Sequence, residues 1–392
     1  MDNRTADATY YRKAARIFHT LRYVVLLVLV VFVIIGFTSF RRELTYDNFR
    51  YIMRYVSFNL GADYKDTSTL TYIADEESLY GYLKGDLAVL SPKGFRTYDF
   101  SGSELLYEKL NIPNPCMKTS GKYALCYDVY GTDLELYNSY SNIISKQFEY
   151  GIKDACVRSD GSYAVATSAK YLKSKLIVFE ESGEFSYDTR DKEIIAVSLP
   201  DDSDKVNFIG LLAENGDFKF HLMSYNTRSD KPIMEKVFTG EFPLKLYSTK
   251  KMICVLTDKA LHFVNYDGET VKSFRHSSER LSGFYQSSDY IALTYTRSVS
   301  DAGTMRIFHE DGYEVATENF GNNIISFSAY KNRLYALEQG VLHIMDVDST
   351  GTKTNNATKK KMEVDGIYNE VFATSSNEYI LVSGLGAQQV SE

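Results

Sequence analysis

Tryptophan is absent from the 392 residues, and proline (6), histidine (6) and cysteine (4) are all scarce. Cys116, Cys126, Cys156 and Cys254 show no C-x-x-C spacing and have no histidine pair nearby. That argues against a structural zinc site. No G-x-S-x-G elbow occurs, so the nucleophile turn of an α/β-hydrolase is missing. Basic excess is missing too. The net charge is −7, and residues 1–65 carry ten Lys/Arg against five Asp/Glu, which leaves about −12 for the remainder. An acidic surface repels a phosphate backbone, so nucleic acid is not expected as a partner.

Flat rings are abundant instead, with Tyr 32 and Phe 23. Such residues suit strands, whose pleated, half-buried surface accommodates them. A hydrophobic share of 44% is enough to build a core, which excludes general disorder. Cys116 and Cys126 lie symmetrically about Gly121, a spacing that would let them face each other across a hairpin. A disulfide and a pair of buried free thiols both remain open.

One long apolar run stands near the N-terminus. Tyr23 to Phe40 is free of charge, and with Leu21 and a snorkelling Arg22 it approaches the ~20 residues that cross a bilayer. A cleavable signal would be shorter and end in small residues of A-x-A type. Here the run ends in Gly36-Phe37-Thr38-Ser39-Phe40, followed by Arg41-Arg42. We expect an uncleaved transmembrane helix at 21–40, behind a basic cytoplasmic leader at 1–20. Five basic residues precede it and Arg41, Arg42, Arg50 and Arg54 follow, a slight bias toward an inside N-terminus. At 41–64 a stem is expected: Phe49, Ile52, Met53, Val56 and Leu60 recur at helical spacing. This amphipathic helix would lie on headgroups or pack on the following domain.

From residue 65 to 392 the chain repeats. Ser120-Gly-Lys-Tyr-Ala-Leu-Cys, Ser159-Asp-Gly-Ser-Tyr-Ala-Val-Ala, Ser287-Ser-Asp-Tyr-Ile-Ala-Leu and Ser376-Asn-Glu-Tyr-Ile-Leu-Val each read as a polar turn running into a strand. A quartet with a large apolar first residue then recurs. It appears as Phe95-Arg-Thr-Tyr98, Leu134-Glu-Leu-Tyr137, Leu176-Ile-Val-Phe179, Phe220-His-Leu-Met223, Leu261-His-Phe-Val264, Met305-Arg-Ile-Phe308 and Leu342-His-Ile-Met345. A polar residue follows each one, and successive copies lie 37 to 44 residues apart. Apolar spacing of two excludes a helical solenoid, and about four strands per ~40 residues is the signature of a β-propeller blade. The expected fold is therefore all-β, a β-propeller. Seven full copies, with an eighth blade built from the tail and the strand Thr69–Ala74, favour eight blades. Seven is the alternative, if the tail completes the first copy. A β-sandwich is the less favoured architecture.

The stem Thr45-Tyr-Asp-Asn-Phe…Leu60 carries a family resemblance. So do Gly85-Asp-Leu-Ala-Val-Leu-Ser…Tyr98-Asp-Phe-Ser-Gly102 and Ser120-Gly-Lys-Tyr-Ala-Leu…Tyr127-Asp…Gly131-Thr-Asp-Leu-Glu-Leu-Tyr-Asn138. Together they resemble uncharacterised bacterial single-pass membrane proteins with a β-propeller-like (WD40/PQQ-like) extracytoplasmic domain. The resemblance implies a fold and a layout, and it lends no catalytic residues.

His221, His262 and His343 share the second quartet position, which Arg96, Glu135, Ile177 and Arg306 fill elsewhere. Equivalent positions on different blades sit at one radius and do not converge, so no metal is expected. Asp346-Val-Asp348-Ser-Thr-Gly351 has a D-x-D start but lacks a third oxygen ligand and the distal Glu of a calcium loop. It reads as a turn, and Lys359-Lys-Lys361 as a solvated insertion. Without tryptophan, the ring docking of quinone-dependent propeller dehydrogenases and the S-x-D-x-G-x-x-W turn of sialidases are both excluded as usually written.

We therefore expect no cofactor and no catalytic residue, and a membrane-anchored, extracytoplasmic scaffold that binds a protein, peptide or envelope polymer. The alternative is a cell-envelope hydrolase or lyase using the funnel. Recognition usually resides in loops on a rigid scaffold. Thr167–Ser174, Arg297–Thr304 and Ser349–Lys361 are the longer connections that stand out.

Overall fold

The structure is a computed structural model. It describes residues 18–31, 46, 49–50, 67–72, 77–214, 217–229, 231–276, 279–297, 302–347 and 358–391. The chain divides into two compact units, Met1–Tyr64 and Lys65–Glu392. In the first, residues 18–31 are helical. Apolar side chains from Tyr23 to Val31 point outward all round the helix and remain 44% or more exposed. No helix among the described residues is long and apolar enough to cross a membrane. The expected span at 21–40 runs beyond the described helix. Of the stem, residues 46, 49 and 50 are described, and they are helical.

The second unit is an eight-bladed β-propeller, built from eight four-stranded antiparallel sheets. Blades 1 to 7 span 79–109, 115–147, 152–189, 193–239, 243–275, 280–320 and 324–363. In each, four strands (a to d) follow one another as a meander. Blade 8 combines Glu370–Ala373, Glu378–Val382 and Gly386–Ser391 with Thr67–Thr71, which pairs antiparallel to Gly386–Ser391 and forms the outer strand. Blade 1 has four strands of its own, so the seven-blade alternative falls.

Packing explains the sequence pattern. There are eight apolar clusters, and each joins two neighbouring blades. The one that closes the ring unites Leu70, Tyr72, Ile380 and Val382 of blade 8 with Leu87, Val89 and Tyr98 of blade 1. Middle strands are covered on both faces, and Met252–Thr257 and Tyr290–Thr296 are buried throughout. Such strands read as continuous apolar runs. Outer strands such as Glu104–Lys109 are largely exposed, with partly buried residues between. The quartets all fall on strand c, and their first residues, from Phe95 to Leu342, are 0% exposed in all seven blades. In several blades the polar residue after the quartet has a local task. Asp99 Oδ1 accepts the N–H groups of Ser101 and Ser103, and Asn265 Oδ1 those of Asp267 and Glu269. These are the Asx turns that short polar side chains form.

Neighbouring inner strands (a) are stitched by side chains. Val197 N–H donates to Asp154 Oδ2 at 2.9 Å, Val371 N–H to Ser326 Oγ at 3.1 Å and Ala373 N–H to Ser328 Oγ at 2.9 Å. Inner edges would otherwise carry unpaired backbone donors.

One open alternative is decided here and one expectation corrected. Cys116 pairs with Tyr127, and Cys126 with Met117. The turn is two residues, so its centre falls between Gly121 and Lys122, and the cysteines point to opposite faces. Cys116 faces blade 3, Cys126 faces blade 1, and both are free thiols. Lys359–Lys361 is not a loop insertion but lies within the outer strand Thr358–Glu363.

Candidate interaction face

The meander sorts the turns onto two faces. Turns from strand d to the next blade, and from b to c, lie on one face (the upper). Turns a–b and c–d lie on the other (the lower). Two backbone contacts across blades confirm the sorting. Tyr130 N–H, in the b–c turn of blade 2, donates to the Ile152 carbonyl at the entry of blade 3. On the lower face, Ser159 N–H in one a–b turn donates to Asp201 in the next blade's a–b turn. The chain enters at Thr67 and its last strand ends at Ser391, both on the lower side.

Exposed apolar side chains divide unequally. The upper face carries Tyr171 at 90% exposure, Leu385 at 81%, Tyr130 at 78% and Ile367 at 76%, with Phe218, Phe242 and Leu244 about half exposed. At the lower end, Tyr313 in a turn and Ile143, Ile233 and Val271 at the starts of outer strands are 43–46% exposed, and none among the described residues matches the four most exposed upper side chains. Large apolar side chains displayed at turn tips mark a candidate interaction surface.

Sequence reasoning pointed at this face only in part. Thr167–Ser174 is a tight hairpin, with Thr167 paired to Lys175, Ala169 to Leu172, and a tip of Lys170-Tyr171. Of Arg297–Thr304, residues 298–301 lie outside the described set, and Gly303 already begins a strand. Ser349–Lys361 falls between strands c and d of blade 7; residues 348–357, including Asp348 of the D-x-D sequence, are outside the described set, and Asp346 ends a strand and faces Arg333 at 3.5 Å. Tyr130, Leu385, Ile367 and Phe242 were missed. The available signal was a large apolar residue at a turn tip, where Gly, Asn or Asp is the usual choice.

The three histidines stay apart, each held by its own glutamate. His221 Nδ1 meets Glu235 at 2.6 Å, His262 Nε2 meets Glu241 at 2.8 Å, and His343 Nε2 meets Glu338 at 2.7 Å. Around Glu241, burial pushes the carboxyl pKa up. Hydrogen bonds from His262 and Thr257 outweigh burial and hold it below the ordinary carboxylate value. His343 is 1% exposed and bridges two blades. Its Nδ1 lies 3.6 Å from Glu318 of blade 6, which in turn takes Lys359 at 2.7 Å and Lys361 at 3.7 Å. Glu338 also accepts the N–H groups of Gly321 and Asn322 at the d–a turn. These clasps tie strand c to its turns and neighbours through one ring nitrogen each, while His221 Nε2, His262 Nδ1 and His343 Nδ1 are buried without a hydrogen-bond partner among the described residues. Among the described residues, no three His, Cys, Asp or Glu side chains are set to hold a metal ion.

Eight blades, one core per interface and a ring shut by the first strand define this molecule as an eight-bladed β-propeller with a WD40-like blade plan. Residues 61–391 match a family of unknown function (DUF5711), and the chain belongs to that family. Among solved structures it is similar to the computationally designed protein Ika8, with a TM-score of 0.59 and 10% identity over 83% of this chain and 100% of that one. It also matches the β-propeller domain of Cps50 (Swd1) from Myceliophteria thermophila, with a TM-score of 0.47 and 14% identity over 69% of this chain and 95% of that one. The WD40 domain of SCAP from fission yeast gives a TM-score of 0.47 and 10% identity, over 84% of this chain and 98% of that one. At such identities the likeness is one of fold alone. No curated protein matches the chain.

Proposed function

We propose that this protein is a membrane-tethered, extracytoplasmic scaffold of the bacterial envelope that binds a protein partner through the upper face of its propeller. The observation that carries the reading is that the large apolar side chains of the described propeller that are more than 70% exposed, Tyr171, Leu385, Tyr130 and Ile367, all lie on that face. Aliphatic side chains such as Leu385 and Ile367 favour a protein partner over a sugar polymer, because they have no flat face to stack on a ring. Entry and exit of the chain on the lower side leave the upper face clear of the covalent connection. The tether rests on the uncharged run from Tyr23 to Phe40 with arginines at both ends. The ionisable groups around His343 are paired with one another between blades, which supports a structural rather than a catalytic role for that cluster.

In-cell crosslinking of the full-length protein, with partners identified by mass spectrometry, tests the reading. A reproducible protein partner captured from upper-face positions is expected; capture from lower-face positions alone would overturn it. Protease added to cells stripped of wall should digest the propeller and spare the leader. Full protection of the propeller would refute the extracytoplasmic location.

A further inference from the structure

Among the described residues, six that are not glycine adopt positive φ. Four of them, Lys84, Asp202, Ser288 and Lys331, are polar and sit in a–b turns of the lower face. Two are on the upper face, Tyr130 and Tyr171, each at φ 65°. A bulky residue in the left-handed region is strained, and glycine or asparagine would occupy it at less cost. These two tyrosines are also the most exposed aromatic side chains of the described propeller. They belong to adjacent blades, and their turns are fastened to one dipeptide. Tyr130 N–H donates to the Ile152 carbonyl at 2.7 Å and Ser168 N–H to the Gly151 carbonyl at 3.2 Å. A Cβ at Gly151 would come within 2.6 Å of the Tyr130 carbonyl oxygen, so the backbones are in close contact. Rings at strained turn tips on a braced backbone do not help the fold, and strain of this kind points toward function.

Uncommitted cations are also gathered here, on a domain that is acidic as a whole. Lys170 Nζ stands 5.2 Å from the Tyr171 ring centroid. Lys173 follows on strand c, and the pairing of Ser174 with Thr189 brings Arg190, just past the end of the outer strand, beside it. Lys170, Lys173 and Arg190 are exposed and make no ion pair among the described residues. Nearby carboxylates are largely committed, Glu193 to Lys153 at 3.1 Å and Asp191 to Lys192 at 3.2 Å. That leaves Glu149, whose carboxylate faces Tyr150, and Asp188, exposed on the outer strand opposite Lys175. Lys170, Lys173 and Arg190 remain uncommitted near the Tyr171 turn on a domain of about −12.

We infer that Tyr130, Tyr171, Lys170, Lys173 and Arg190 form the anchor site of the upper face, and that its ligand is an acidic segment of the partner protein. Tyrosine and arginine are favoured anchors, combining apolar area with hydrogen bonding and little entropy loss. The inference rests on the protein-binding reading above and names where and what that face binds.

The test places a benzophenone side chain at position 130, 171 or 385 of the full-length protein, crosslinks in cells, and sequences the captured segment. It is repeated with Lys170→Glu, Lys173→Glu and Arg190→Glu combined. An acidic segment captured at 130 and 171, with charge reversal lowering the yield about tenfold, is expected. Capture at 385 with none at 130 or 171 overturns this inference while leaving the protein-binding face intact. Capture that charge reversal does not change, a polysaccharide adduct, or no capture at any position counts against it. Tyr171→Gly supplies a variant that folds. Its thermal midpoint is expected to equal or exceed that of the parent, while capture at position 130 falls; undiminished capture would remove Tyr171 from the site.

Discussion

Tyr130 and Tyr171 make opposite contributions to stability and to the proposed binding. Left-handed backbone at a non-glycine residue costs about 1–3 kcal/mol, and the entropy of a glycine costs about 0.5–1 kcal/mol. Tyr130→Gly and Tyr171→Gly should therefore leave stability unchanged or raise it by up to about 2 kcal/mol, as read by urea denaturation. A loss above about 1 kcal/mol would mean that the rings support the fold. Glu241 allows a second test. Its folded carboxyl lies below the ordinary value of 4.5, so its contribution is complete above that pH and is lost as pH falls through the folded value. The stability gap between the parent and Glu241→Gln should be widest near neutrality and close on acidification below 4.5. A gap constant with pH would sink the His262–Glu241–Thr257 clasp as a charged interaction. The sequence showed that three histidines share a repeat position, but not that each has its own glutamate. Those acids come from a neighbouring outer strand (Glu235), a d–a turn (Glu241) and the end of a b strand (Glu338), places that no common spacing connects.

Among the strands, the closing one bears the most consequence. Thr67–Thr71 pairs over its full length with Gly386–Ser391, and Tyr72 just beyond it donates its hydroxyl to the carbonyls of Ser383 and Gly386. Burial pushes the Tyr72 hydroxyl pKa up, and nearby Tyr80 adds to the effect. Tyr72→Phe should lose about 1 kcal/mol by calorimetry, the ordinary net value of such a hydrogen bond. Deleting 367–392 removes three of the four strands of blade 8, and it exposes the packing faces of blades 1 and 7. Cooperative melting should then disappear from the circular dichroism signal, and a truncated propeller that melts like the parent would disprove closure as the source of stability. That a strand before the first blade, read as Thr69–Ala74 and found at Thr67–Thr71, joins the tail was legible from counting strands. Which side the cysteines face was not, since one residue of turn length reverses every side chain of a strand.

At the scale of the whole ring, no blade has a core of its own, because each apolar cluster belongs to two blades. Opening any interface exposes a neighbour, so unfolding should involve the entire circle. Cys126 between blades 1 and 2 and Cys254 between blades 5 and 6 are buried free thiols, and burial pushes both pKa values up. In the native state each should label only as fast as the ring opens, and across a urea titration the two should become reactive with one common midpoint. Separate midpoints would show blades opening independently. The amino-acid sequence by itself determined the propeller, the blade period and the strand that shuts the ring. These follow from local alternation and turn chemistry, repeated often enough to be read without knowing what touches what. The tertiary structure decided that the histidines are clasps, that the cysteines look away from each other, and that tyrosines from two blades share one braced platform. Those are relations between residues tens of positions apart, created when the blades pack side by side, and no local pattern encodes them.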